Sequence, residues 1–203
     1  MGGIASLATE YFKELFSTSC PTRIEEVANL VPRSVTPEMN EQLTREFQRE
    51  KVIQAIHTMH PTKALSPNGM SEIFYQKYWD VIGNDITNTV LNVLNSNASV
   101  VPLNQTSIVL IPKTNSPAKM NEFWPISLCN VSYKIISKVL VNRLKPILST
   151  IISENQSAFV RGHPITDNVL IAFEIMHYLK KKEGKESYMA VKLDMSKAYD
   201  QVE

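Results

Sequence analysis

The sequence is short of several things, and each shortage excludes a class of protein. There are two cysteines in 203 residues, Cys20 and Cys129, too few and too far apart for a disulfide framework or a cysteine zinc site. That usage fits a reducing, intracellular compartment, whether cytoplasm or nucleus. Six glycines against eleven prolines are not the composition of a flexible low-complexity chain. No apolar run approaches the roughly 18–20 residues that a bilayer span needs, so no membrane partner is expected. No apolar h-region follows Met1. The opening Met1-Gly2-Gly3-Ile4-Ala5-Ser6 fits the loose N-myristoylation pattern, but a single acyl chain anchors only marginally.

What is present is ordinary for a globular protein. Hydrophobic residues make up 43% and charged residues 20%, and the length is enough to bury a core. Net charge is +1, but it is unevenly spread. Residues 1–100 carry eight basic and eleven acidic side chains, and residues 101–203 carry thirteen and nine. An anionic ligand therefore belongs with the second half, unless the difference is only a scatter of solvated charges.

The first half reads as helices joined by proline-marked loops. Apolar positions at three- and four-residue spacing over 4–16 predict an amphipathic helix. Thr36-Pro37-Glu38 is a helix start, with an N-cap hydroxyl, proline at the first helical position and an acid in the first turn. That helix is expected to run to about Arg49, and another from Lys51 to Met59. His57 and His60 lie three apart at its end with no third ligand nearby, and read as surface residues. Residues 60–69, with two prolines and an Asn-Gly pair, form a loop. Helices around Ser71–Val81 and Asn84–Ser96 follow.

From residue 101 the character changes. Ser107–Ile111 is a short β-branched run that reads as a buried strand. A helix from Ser132 to about Leu144 is expected to turn Ile135, Ile136, Val139, Leu140 and Leu144 inward. Lys134, Lys138 and Lys145 then share one opposite sector, a candidate nucleic-acid contact. Thr166 is expected to cap a helix with Val169, Leu170, Phe173, Met176 and Leu179 inward, closed by Lys180–Lys182 and Gly184. Tyr188–Leu193 alternates in strand fashion, with Asp194 at its end.

Five stretches in this order and spacing resemble the reverse transcriptase of plant LINE-type (non-LTR) retrotransposons. They are KALSPNGM in the first half, IVLIPK at Ile108–Lys113, FWPISLCN at Phe123–Asn130 with the helix YKIISKVLVNRLK, SAFVRGHPITDNV at Ser157–Val169, and KLDMSKAYDQV at Lys192–Val202. The resemblance implies an α+β fold. Residues 1–100 would be a mainly helical region leading into the fingers. Residues 101–203 would be partial fingers and palm of a right-hand polymerase, ending just after the first catalytic-aspartate motif.

The resemblance also implies chemistry. Asp194 is the catalytic carboxylate, holding Mg²⁺ or Mn²⁺ together with the backbone carbonyl of Met195, as hard cations prefer. Tyr199 is the ring that excludes a ribose 2′-hydroxyl, and Lys113 faces the phosphates of the incoming nucleotide. RNA template, DNA primer and dNTP are the implied partners, and no protein partner is indicated. Taken alone, Asp194 reads as a turn or N-cap residue, Tyr199 as a core aromatic and Lys113 as a solvated lysine. Alternatives to a polymerase segment are a non-catalytic nucleic-acid- or partner-binding helical module, and an unstable product of a decayed element.

The sequence departs from the family pattern in two ways. The later Tyr-Ala-Asp-Asp-like hairpin, source of the other metal carboxylates, is not in it, so catalytic incompleteness is expected. Trp124 stands where the family has the arginine of Arg-Pro-Ile-Ser, whose fork of donors clamps a triphosphate. His163 and Gln201 also replace arginines, and Leu65, Ser66 and Asn68 replace Pro, Gly and Asp in the turn. At Ser66 a cost of about 1 kcal/mol is expected if the loop needs φ > 0. All of these replacements are reachable by single C→T or G→A transitions, as in a decaying methylated element. The coding DNA should therefore place each of these codons one transition from the family codon, mostly in methylatable contexts; codons further away would dismiss the idea of decay.

Overall fold

The protein is described by a computed structural model covering residues 2–63, 65–96, 98–153, 155–156, 162, 164–182 and 188–193. In chain order the elements are α1 (Gly2–Leu15), α2 (Ile24–Asn29), α3 (Pro37–Thr44), α4 (Arg49–Thr58), α5 (Glu72–Lys77), α6 (Trp79–Ser96), β1 (Ser107–Pro112), β2 (Phe123–Leu128), α7 (Val131–Ile151) and α8 (Ile165–Lys181). The chain divides into two units, residues 35–148 and residues 1–34 with 149–203. Every buried side chain among the described residues lies in 35–148.

The core of that unit is built at helical spacing. Val52, Ala55 and Ile56 of α4, Val90 of α6, and Val131, Ile135, Ile136 and Val139 of α7 form one buried cluster with Tyr75 of α5. Burial of such branched side chains stabilises by about 1.5–3 kcal/mol each. In α6, Gly83 is required by close approach: a Cβ there would lie 2.6 Å from the ring of Trp79, one turn earlier. The exposed end of α4 is closed by Gln76, whose amide donates to the carbonyls of Ile56 at 2.8 Å and Met59 at 2.9 Å. The Ile56 carbonyl also accepts the Met59 N–H at 3.2 Å, which tightens the last turn.

Several expected boundaries hold and others move. The Thr36 hydroxyl accepts the Met39 N–H at 3.2 Å with Pro37 at the first helical position. A backbone hydrogen bond, and then the Thr36 hydroxyl, hold the Glu38 carboxyl below its usual range. However, α3 stops at Thr44 rather than near Arg49. The carbonyls of Leu43, Arg45 and Glu46 are taken instead by the guanidinium of Arg143, a partner that lies about a hundred residues away and leaves no local signal. The break between α5 and α6 falls at Tyr78, so α6 starts at Trp79 and not near Asn84.

The turn after α4 corrects a second expectation. Gly69 takes φ +77, whereas Ser66 is not among the positive-φ residues, so no strain attaches to the serine. Ser66 is buried and its hydroxyl donates to the Met70 carbonyl at 2.7 Å. The Gly69 N–H returns to the Ser66 carbonyl at 2.9 Å. Here the serine secures the turn.

β1 pairs with β2 in an antiparallel hairpin, from Ser107 opposite Leu128 to Pro112 opposite Phe123. β2 carries Pro125, which has no N–H for a ladder and is not found in central strands. In a two-stranded sheet each strand has a free edge, where proline is tolerated. For the same reason β1 is not the buried strand expected: Ile108, Val109 and Ile111 are exposed, since among the described residues the sheet has no third strand.

α7 runs on past Leu144 to Ile151, through Pro146. Leu140 and Leu144, expected inside, are exposed; the buried stripe drifts round the helix to Ile147. In the other unit, α8 begins after Pro164 with no side-chain cap, so Thr166 lies inside the helix and does not cap it. Val169, Leu170, Phe173 and Met176 are 59–69% exposed: an amphipathic pattern buries a face only where another element covers it, and the described residues leave this one open. Residues 188–193 adopt no regular structure, as a strand requires a partner. The expected stop at Gly184 lies outside the described residues.

The most consequential polar contact in the core is an ion pair. Glu72, at the start of α5, has no solvent exposure, and its Oε1 lies 3.0 Å from Lys134 Nζ of α7, itself 19% exposed. Removing one partner of such a pair strands a buried charge and costs about 3–5 kcal/mol. Lys134→Met should therefore lower the urea midpoint sharply, and Glu72→Met/Lys134→Met should recover much of the loss. Strictly additive losses in this cycle would refute the coupling.

Candidate functional site

Two regions of the 35–148 unit gather the residues that carry chemistry. The first is the β1–β2 hairpin. Its connecting loop ends in a single 3₁₀ turn, Met120–Glu122. The Glu122 carboxylate accepts the N–H of Ala118 at 2.6 Å and of Lys119 at 3.2 Å. These bonds fold the loop back on β1, where the Lys113 N–H donates to the Glu122 carbonyl at 2.8 Å.

Lys113 is thereby brought beside Trp124. Its ammonium donates to the Asn121 carbonyl at 2.9 Å and sits 4.2 Å from the centre of the Trp124 ring. A cation over an indole face gains about 0.5–1 kcal/mol at an exposed site. Trp124 lies opposite Ile111 in the register, and is 58% exposed. So the lysine expected to meet phosphates and the tryptophan that the resemblance sets at an arginine position are neighbours. In this arrangement the lysine is occupied by the ring.

The second region lies against α7. Of the three lysines expected on one outward sector, Lys134 turns in to Glu72, which removes it from any free basic face. Lys138 and Lys145 line a cleft of about 710 Å³ together with Lys51 and Arg143. Neither Lys51 nor Arg143 stands out in the sequence as a site residue. Arg143 fills a structural role as well: its guanidinium carbon sits 3.1 Å from the centre of the Phe47 ring. Asn95 completes the hold on that linker, accepting the Phe47 N–H and donating to its carbonyl, both at 2.9 Å. Burial pushes the Arg143 guanidinium down from its usual value, yet arginine stays charged in proteins.

Sequence spacing alone has no means of finding Arg143 or Lys51. Their roles depend on α4 packing on α7, and only the basic run around Arg143 hints at them. The residues that resemblance assigns to metal and nucleotide, Asp194, Met195 and Tyr199, lie outside the described residues, as do His163 and Gln201. Among the described residues no group of three His, Cys, Asp or Glu side chains is placed to hold a metal ion. No helix there is long and apolar enough to cross a membrane.

Comparison with known proteins points to the part of the chain that runs from the hairpin through α7 and α8 to Glu203. Residues 111–203 match the family described as reverse transcriptase (RNA-dependent DNA polymerase). Over 202 residues, 98% of the chain, the sequence is 26% identical to the transposon TX1 uncharacterized 149 kDa protein of Xenopus laevis, of which the chain spans 15%. The second half of the chain thus carries a reverse transcriptase match, and nearly all of it is related to a transposon protein.

Proposed function

We propose that the chain is part of an RNA-directed DNA polymerase from a LINE-type retrotransposon of plant type, comprising a segment leading into the fingers, a fingers hairpin and the start of the palm. The observation that carries this reading is the reverse transcriptase match over residues 111–203, which takes in Lys113, Trp124, α7 and Asp194. Relation to a transposon protein along nearly the whole chain supports the retrotransposon setting.

In this reading Asp194 and the Met195 carbonyl would hold a divalent cation, which supplies charge stabilisation at the transferring phosphate. Tyr199 would limit the sugar to a deoxyribose by bulk, and Lys113 would meet the triphosphate. A single aspartate does not make a two-metal centre, so the chain by itself is proposed to be catalytically incomplete. The hairpin adds its own handicap. With Trp124 in place of an arginine there is no guanidinium fork, and Lys113 must leave the ring before it can reach a phosphate.

Primer extension on an RNA template with Mg²⁺ or Mn²⁺ is expected to give no incorporation above background. Incorporation that Asp194→Ala abolishes would overturn the incompleteness. Nucleotide binding separates the second handicap: Trp124→Arg adds a charge-assisted donor pair, worth about 1.5–3 kcal/mol. That variant should bind a Mg²⁺-triphosphate roughly ten- to a hundredfold more tightly by calorimetry; unchanged affinity would detach the hairpin from nucleotide binding.

A further inference from the structure

A second cavity of the 35–148 unit, of about 560 Å³, opens between the end of α4, the start of α5 and α7. Three kinds of group line it. The ion pair of Glu72 and Lys134 is its most buried part. Met59, Tyr133 and Val141 supply an apolar wall. Lys63 and Lys138 bring ammonium groups that form no ion pair among the described residues. The ion pair is incomplete as a hydrogen-bonding unit. Glu72 Oε1 meets Lys134 Nζ at 3.0 Å, but Oε2 is buried with no partner among the described residues. A buried acceptor without a donor carries its full desolvation cost, and a donor brought beside it removes that cost.

The charges around Oε2 decide what that donor can be. Lys134 already balances the carboxylate, and Lys63 and Lys138 add positive charge to the same space, so an incoming cation is repelled. A neutral O–H or N–H is the donor that fits. The free ammonium groups call instead for an anion at the other end of the ligand. Lys138 follows Lys134 by one turn of α7, about 6 Å along the axis, and a single aromatic ring spans that rise. The half-buried ring of Tyr133 offers it an edge or face to pack on. A cavity of this size, mostly apolar with a few polar groups, is the form of a small-molecule site. We propose that it binds a small aromatic carboxylic acid with a neutral donor, such as a phenol, opposite its carboxylate. The donor meets Glu72 Oε2, the ring lies against Met59, Tyr133 and Val141, and the carboxylate meets Lys63 and Lys138. The proposal stands apart from the polymerase reading, because neither Asp194 nor the hairpin contributes to it.

The test is a ligand-observed NMR titration of the whole chain with para-hydroxyphenylpropionate in EDTA. Binding is expected, and phenylpropionate, which lacks only the donor, should bind at least tenfold more weakly. Tyramine, the same phenol on an ammonium, should not bind over the same range. Glu72→Gln breaks the core ion pair, so the donor is tested through the ligand and the cavity through its wall. Val141→Trp fills the cavity from an exposed position and should abolish binding with the thermal melt unchanged. Lys138→Gln should weaken both acids by the same factor, since it faces the carboxylate they share. Asp194→Ala should leave the affinity as it is, so failure here and failure of the polymerase reading remain distinct. Equal affinities for the two acids, binding of tyramine, or undiminished binding by Val141→Trp would each overturn the proposal. So would absence of binding, or displacement of the acid by an equal concentration of a metal-free deoxynucleoside triphosphate.

Discussion

A carboxylate removed from water must find a cation, and in this chain that requirement fixes one helix against another. Glu72 is wholly buried and meets Lys134 at 3.0 Å, while its second oxygen, Oε2, has no partner among the described residues. Desolvating two charges costs nearly as much as their attraction returns. The pair therefore adds little stability beyond what an apolar pair of the same size would give. What it does add is register. With Lys134 drawn to the start of α5, Ile135, Ile136 and Val139 are presented to α4, and the stripe they form is the centre of the core.

α7 has a second polar anchor, and the two divide the labour. Nine residues after Lys134, about 13 Å along the helix axis, Arg143 gathers the Leu43 carbonyl from the last turn of α3 and the Arg45 and Glu46 carbonyls of the α3–α4 linker. A linker without secondary structure has no helical or ladder donors for its carbonyls. Arg143 and Asn95 satisfy them from two different helices, and Phe47 is fastened beneath the guanidinium. The basic cleft is a result of this geometry. Once the arginine has pulled the linker onto α7, Lys51 of α4 comes to face the same space as Lys138 and Lys145.

What is legible in the sequence divides along the range of the forces. The Thr36-Pro37-Glu38 start, the Asn68-Gly69 turn and the inward Ile135, Ile136 and Val139 of α7 depend on neighbours within a few residues, and they stand as expected, whereas Leu140 and Leu144 do not. The end of α3, the inward turn of Lys134 and the exposure of β1 depend on contacts remote in sequence. β2, for which no strand is expected, pairs through contacts with β1 and holds Pro125 at a free edge. The site divides in the same way. Lys113 and Trp124 are recognisable singly by resemblance, whereas their contact comes from the loop closed by Glu122. For Asp194 and Tyr199, resemblance and the family match remain the support, since both lie outside the described residues.

Packing decides the fate of individual basic residues of the second half. Spacing sets Lys134, Lys138 and Lys145 on one face of α7, but Lys134 is spent on the core, and in the hairpin Lys113 lies over an indole ring. Of the three on α7, Lys138 and Lys145 remain, and they share a cleft with Lys51 from the first half, which is acidic on balance. A net charge per segment is thus a poor guide to an anion site, because packing decides which charges are neutralised and which are gathered. The same distinction separates two properties of the chain. In the proposed reading the hairpin binds nucleotide poorly because its lysine is engaged and its arginine replaced, whereas Lys138 and Lys145 on α7 form no ion pair among the described residues.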